Sequence, residues 1–62
     1  MKTLLTVAEA AEMLSLGRSK VYQEIGAGRI RAIKIGRATR IEATEVDAYV
    51  RRLREEQEGE VT

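Results

Sequence analysis

Apolar positions recur at helical spacing near the start of the chain. Val7, Ala10, Ala11 and Leu14 stand at i, i+3, i+4 and i+7, which gathers them on one side of a single helix. Thr6 precedes the stripe, and Glu9 follows it by three residues. That pair is a capping box, able to satisfy two orphan backbone donors, so a helix is predicted from Val7 with Glu9 and Glu12 toward water. "SLG" at 15–17 breaks the pattern with two turn formers around an apolar anchor, Leu16. A second short helix is predicted from Arg18 or Ser19, with Val21, Tyr22 and Ile25 as its buried stripe and Gly26 and Gly28 as its stop.

After Gly28 the pattern changes from helical to alternating. Ile33 and Ile35 flank Lys34, Gly36 opens a turn, and Thr39 and Ile41 flank Arg40, which predicts two half-buried strands in a hairpin. Setting Ile33 opposite Ile41 places Lys34 opposite Arg40. Such a like-charge pair is unfavourable by up to about 1 kcal/mol and asks for an anion between the two. Thr44, with Asp47 three residues on, opens a closing helix that turns Val46, Tyr49, Val50 and Leu53 inward and Arg51, Arg52 and Arg54 outward. The expected organisation is one domain over residues 1–57 and a flexible acidic tail over 58–62, where "EGEVT" has little to bury.

Composition narrows the classes. A chain of 62 residues makes one domain and buries only about 60% of the surface its unfolded form exposes. It has no cysteine and no histidine, so neither a disulfide nor the usual zinc ligands can supplement the core, and no metal or cofactor is expected. No apolar run approaches the ~20 residues that span a bilayer, and Met1 and Lys2 lead into no hydrophobic signal region. The sequence therefore reads as soluble and cytoplasmic, without a membrane partner. Nucleophilic catalysis would need a serine and lysine pair, and the adjacency of Ser19 and Lys20 offers no hydrogen-bonded geometry for one. "GAG" at 26–28 is too short for a dinucleotide fingerprint and follows a helix where a strand is required, so no enzyme is expected.

Net charge is only +1, yet the charges are segregated. Residues 18–40 hold Arg18, Lys20, Arg29, Arg31, Lys34, Arg37 and Arg40 against Glu24 alone, whereas residues 41–62 hold seven acids against three arginines. A cationic block is the footprint of a surface for a polyanion, because neutralised phosphates release their counterions. A block of this kind is also what an ordinary solvated face looks like, so the position of the cations decides. Two short helices joined by a three-residue turn match the helix-turn-helix arrangement, whose second helix enters the major groove. Arg18, Ser19, Lys20 and Gln23 project near the start of that second helix, and arginine, lysine and glutamine can pair with base edges. Tyr22, on the side of Val21 and Ile25, reads as core rather than as a stacking platform.

The succession "TVAEAAEMLSLGRSKVYQEI", a glycine-rich stop, "IKIGRATRI" and "TEVDAYV" resembles the helix-turn-helix domain of the excisionase family, a winged-helix group related to the MerR type. The resemblance covers residues 4–53. It implies an α+β fold, a small winged helix-turn-helix with two short helices, a β-hairpin wing and a C-terminal helix. By the same resemblance, Arg18, Ser19, Lys20, Tyr22 and Gln23 fall on the recognition helix, and Lys34, Arg37 and Arg40 on the wing. The implied partners are double-stranded DNA, further copies of the chain on DNA, and an integrase; the implied place is the nucleoid. A stand-alone transcription regulator of the same fold stays open, as does a protein-binding adaptor or antitoxin-like module using the acidic closing helix. Three positions depart from the family pattern. Ser15 stands where such turns often have glycine, predicting a backbone that is not left-handed. Glu24 stands at a usually apolar position, predicting shallower burial of that side. Thr39 replaces a common aromatic, predicting a less rigid wing.

Overall fold

The computed structural model describes residues 3–60, in the order β1 (Leu4–Thr6), α1 (Val7–Leu14), α2 (Arg18–Gly26), β2 (Ile33–Ile35), β3 (Ala38–Glu42) and α3 (Ala43–Glu60). Three antiparallel strands in the order β1-β3-β2 form a small sheet; α1 and α3 pack against it, and α2 packs on α1. This is the α+β architecture of a small winged helix-turn-helix. The acidic tail expected from residue 58 begins inside α3, and residues 61 and 62 lie outside the described residues.

The first helix starts where its capping box sets it. The Thr6 hydroxyl accepts from the Glu9 N–H at 3.0 Å and the Glu9 carboxylate accepts from the Thr6 N–H at 2.9 Å. Val7, Ala10 and Ala11 are buried by it, with Leu14 packed beside them. Its end corrects the expectation for Ser15, which adopts φ 56°, ψ 39°, the left-handed region. A side chain there is unfavourable by roughly 1–2 kcal/mol. The offset is that the N–H of Ser15 reaches the Glu12 carbonyl and that of Leu16 the Ala11 carbonyl, closing two otherwise open acceptors. Leu16 is thereby turned down onto the core.

Leu5, Val7, Ala10, Ala11, Val21, Ile30, Ile41, Val46 and Tyr49 make one core, with Ile41 and Val21 fully enclosed. Two helix positions differ from the expected stripes: Tyr22 is 54% exposed and Glu24 is buried at 4%. The inward side of α2 is thus Val21, Glu24 and Ile25 rather than Val21, Tyr22 and Ile25. Val50 of α3 is likewise exposed, leaving Val46, Tyr49 and Leu53 as the packed stripe.

The hairpin register is also shifted by one from the expected pairing. Ile33 pairs with Arg40, Lys34 with Thr39 and Ile35 with Ala38, leaving a two-residue turn at Gly36 and Arg37. Gly36 has φ +61°, the positive value that the first central position of a tight II′-like hairpin requires. The like-charge pair therefore does not form: the Lys34 ammonium donates to the Thr39 hydroxyl at 3.1 Å instead. Ile33 and Ile35 are both exposed, so β2 is not half-buried. β3 runs without a linker into α3, which starts at Ala43, and the Ala43 N–H donates to the Thr3 carbonyl at 2.9 Å. Thr44 accordingly sits inside the first turn and is not the cap.

Candidate nucleic-acid interface

Gly17, extended at φ −74° and ψ 157°, delivers the chain into α2 with Arg18, Ser19 and Lys20 in its first turn, all exposed. Gln23 follows one turn along, also exposed. The helix stops through Gly28, whose φ of +79° lets the Arg29 N–H return to the Glu24 carbonyl at 2.9 Å. That reversal sends the chain straight to the wing. At the wing tip Arg37 is exposed, Lys34 lies on the strand beside Thr39, and the Arg40 guanidinium donates to the Thr39 carbonyl at 3.0 Å.

Between helix and wing lies an open cleft of about 620 Å³, lined by residues of both. Tyr22 and Ile25 come from α2, Lys34 and Thr39 from the hairpin, and Ile30, Arg31 and Ala32 from the connection. Of the recognition-helix residues expected from the sequence, Tyr22 faces this cleft. Of the wing residues, Lys34 does, while Arg40 pairs across the sheet with Ile33 and so stands on the opposite face. Arg31 was not among the expected site residues, although its position between the two elements brings it to the cleft rim.

The connection is braced from behind. The Glu45 carboxylate of α3 accepts from the Arg31 N–H at 3.0 Å and from Arg52 at 2.8 Å, and Arg52 also donates to the Arg29 carbonyl at 2.7 Å. Burial alone would raise the pKa of Glu45, but the Arg31 N–H, the Arg52 hydrogen bond and the charges of Arg52 and Arg31 together hold it below its ordinary value. A depressed acid stabilises the fold at pH above its unfolded pKa, and that contribution disappears as pH falls through the folded one. Glu45→Gln is therefore expected to lower stability by about 1 kcal/mol at neutral pH. The gap to the unmodified protein should begin to narrow below about pH 4.3, where an unpaired glutamate protonates, and vanish as pH falls through the lower folded pKa. Urea titrations across pH 3–7 check this, and a gap independent of pH would refute it. Neither Glu45 nor Arg52 was expected at this site, since only the fold brings them to Arg29 and Arg31.

Glu24 is the other residue that the sequence pattern misplaced. Its carboxylate lies 3.3 Å from the Lys20 ammonium and 3.5 Å from the Arg29 guanidinium. On its inner side it adjoins α3, where burial first and the charge of Glu24 second push the Tyr49 phenol pKa upward. Among the described residues, Arg18, Ser19, Gln23 and Arg37 have neither an ion pair nor a side-chain hydrogen bond, which leaves them presented to solvent. No group of His, Cys, Asp or Glu among the described residues could hold a metal ion, and no helix there is long and apolar enough to cross a membrane.

A polar, cationic helix start and a cationic wing on either side of one cleft define a winged helix-turn-helix DNA-binding domain. The family model described as "Helix-turn-helix domain" matches residues 4–54, and the chain belongs to that family. A curated protein named "Probable excisionase" from Saccharopolyspora erythraea is 48% identical over 52 residues, which is 84% of this chain and 53% of that protein. The chain thus spans about half the length of that relative. No solved structure matches.

Proposed function

We propose that this chain binds double-stranded DNA site-specifically as an excisionase, a factor that sets the direction of recombination and carries out no chemistry itself. The observation that carries the reading is the shared cleft, because Tyr22 of the helix and Lys34 of the wing face the same channel. With α2 in the major groove, a strand of the duplex passes through that channel. Its sugars meet Ile25 and Ala32, and its phosphates meet Arg31 and Lys34. Arg18, Ser19, Lys20 and Gln23 then face base edges, and Arg37 at the tip reaches the backbone or the minor groove. The excisionase role is supported by the likeness to the Saccharopolyspora protein, and an integrase as partner and work at the nucleoid are part of the same proposal.

One short recognition helix spans about four or five base pairs, too few to mark a single locus in a genome. Specificity therefore arises from several copies on adjacent sites, which bend the DNA between them. Segregated charge supports this arrangement: the cationic wing of one copy meets the acidic stretch of α3 of the next, where Glu55, Glu56 and Glu58 are all exposed. The protein is expected to sediment as a monomer without DNA and to bind a duplex carrying repeated sites more tightly per site than a duplex with one. Gel shifts on both duplexes test this, and equal affinity per site, or a stable dimer in free solution, would overturn it.

A further inference from the structure

Glu24 is the single acid of residues 18–40, and it is also a nearly enclosed charge on the helix that presents the base-reading side chains. Buried carboxylates are tolerated when paired and fully hydrogen-bonded. Here the pairing is incomplete, since the Oε2 atom is buried without a hydrogen-bond partner and has only the Arg29 guanidinium at 3.5 Å. An apolar side chain of the same size would fill the position without that penalty. The carboxylate therefore calls for an explanation other than packing, and its surroundings supply one. Oε1 faces the ammonium of Lys20 one turn earlier, and the backbone carbonyl of Glu24 accepts from Arg29 and Ile30 at 2.9 and 3.3 Å. One residue thus holds a base-reading lysine by its side chain, and the first two residues of the path to the wing by its backbone.

Resting on the DNA-binding reading, we propose that Glu24 is a specificity-determining positioning residue: it directs the Lys20 ammonium toward base acceptors and withholds Lys20 and Arg29 from indiscriminate contact with phosphates. A lysine ammonium has three donors. With the ammonium held 3.3 Å from Oε1, its outward donors sample a restricted region, so a guanine O6 or N7 in the right place is favoured over a phosphate at large. Pulling Lys20 fully away would leave the buried carboxylate uncompensated, which opposes the flexible phosphate contacts that an untethered lysine makes freely. Tethering also removes two of the seven cations of this region from the pool available to the backbone, leaving Arg18, Arg31, Lys34, Arg37 and Arg40 without an acid within ion-pairing distance among the described residues.

The test uses a duplex selected by the unmodified protein from a randomised pool, and a shuffled duplex of the same composition. Glu24→Gln should bind the shuffled duplex more tightly, lower the selected-to-shuffled ratio roughly tenfold, and steepen the salt dependence by about 1–2 in slope as Lys20 and Arg29 join the phosphate contacts. Glu24→Leu, which removes the buried charge outright, should show the same loss of discrimination at equal or higher thermal stability, so that a poorly folded Gln variant leaves the inference open to refutation. In the Lys20→Ala background the effect of Glu24→Gln on the ratio should shrink to the part carried by Arg29, and in a Lys20→Ala, Arg29→Ala background it should vanish. Variants that keep the ratio and the slope while the unmodified protein discriminates would overturn the role of Glu24 alone. An unmodified protein that binds neither duplex in a salt-dependent way would overturn the DNA-binding reading together with it.

Discussion

Raising the salt concentration from 50 to 200 mM is expected to weaken DNA binding about 150-fold. Each phosphate neutralised by a cation contributes about −0.9 to the slope of log K against log salt. The four cations without an acid partner on the cleft side, Arg18, Arg31, Lys34 and Arg37, give a slope near −3.6, and recruitment of Lys20 and Arg29 would bring it toward −5.4. The acidic residues of α3 do not cancel this, because phosphates meet the local surface rather than the net charge of the chain. Fluorescence anisotropy of a labelled duplex at four or five salt concentrations measures the slope directly. A value near zero would exclude a phosphate-gripping surface and favour a protein-binding module built on apolar contacts.

Substitutions on the two basic elements should divide by kind of loss. Lys20→Ala and Gln23→Ala remove side chains that the proposed function sets against base edges, and each is expected to weaken binding to the selected duplex by about 1–3 kcal/mol while scarcely changing binding to a shuffled one. Arg37→Ala removes a cation at the hairpin tip. It should weaken both duplexes alike and reduce the salt slope by about 1. Gln23 and Arg37 are exposed and unpaired, so thermal stability should shift by no more than about 0.5 kcal/mol in their variants, whereas Lys20→Ala also leaves the buried Glu24 carboxylate with Arg29 alone and is compared at a temperature where that variant is shown to be folded. Equal losses on both duplexes for all three variants would contradict this division of labour.

Local rules were legible in the residues, and the departures from them arose over longer distances. The Thr6 and Glu9 box and the glycine reversal at Gly28 need only neighbours in sequence, and both form as expected. On α2, helical spacing admits either Tyr22 or Glu24 beside Val21 and Ile25, and hydrophobicity selects the tyrosine. The structure buries the glutamate because Lys20 and Arg29 are both in reach, and Arg29 gets there only after the chain reverses. In the hairpin, matching apolar side chains would set Ile33 against Ile41. Turn geometry at Gly36 prevails because β2 lies beyond the core, where burial exerts no pull on register. Ser15 is left-handed because the two carbonyls closed behind it, and the core seat of Leu16, outweigh the preference for glycine. The cleft itself was half legible: the residues of both walls could be named, but Arg31 at its rim, and Glu45 with Arg52 behind the connection, required the path of the chain in space.

The brace from α3 has a consequence for how a binding site is chosen. Glu45 and Arg52 fix the backbone at Arg29 and Arg31, midway between the helix and the wing. The distance between these two elements is therefore set before any duplex arrives. Under the proposed function, a duplex whose groove width and phosphate spacing match that distance would dock without deformation, and one that does not would have to bend or compress to fit, at a cost that depends on its base steps. In that role the domain would act as a caliper, gauging the local shape of DNA at positions that no side chain touches.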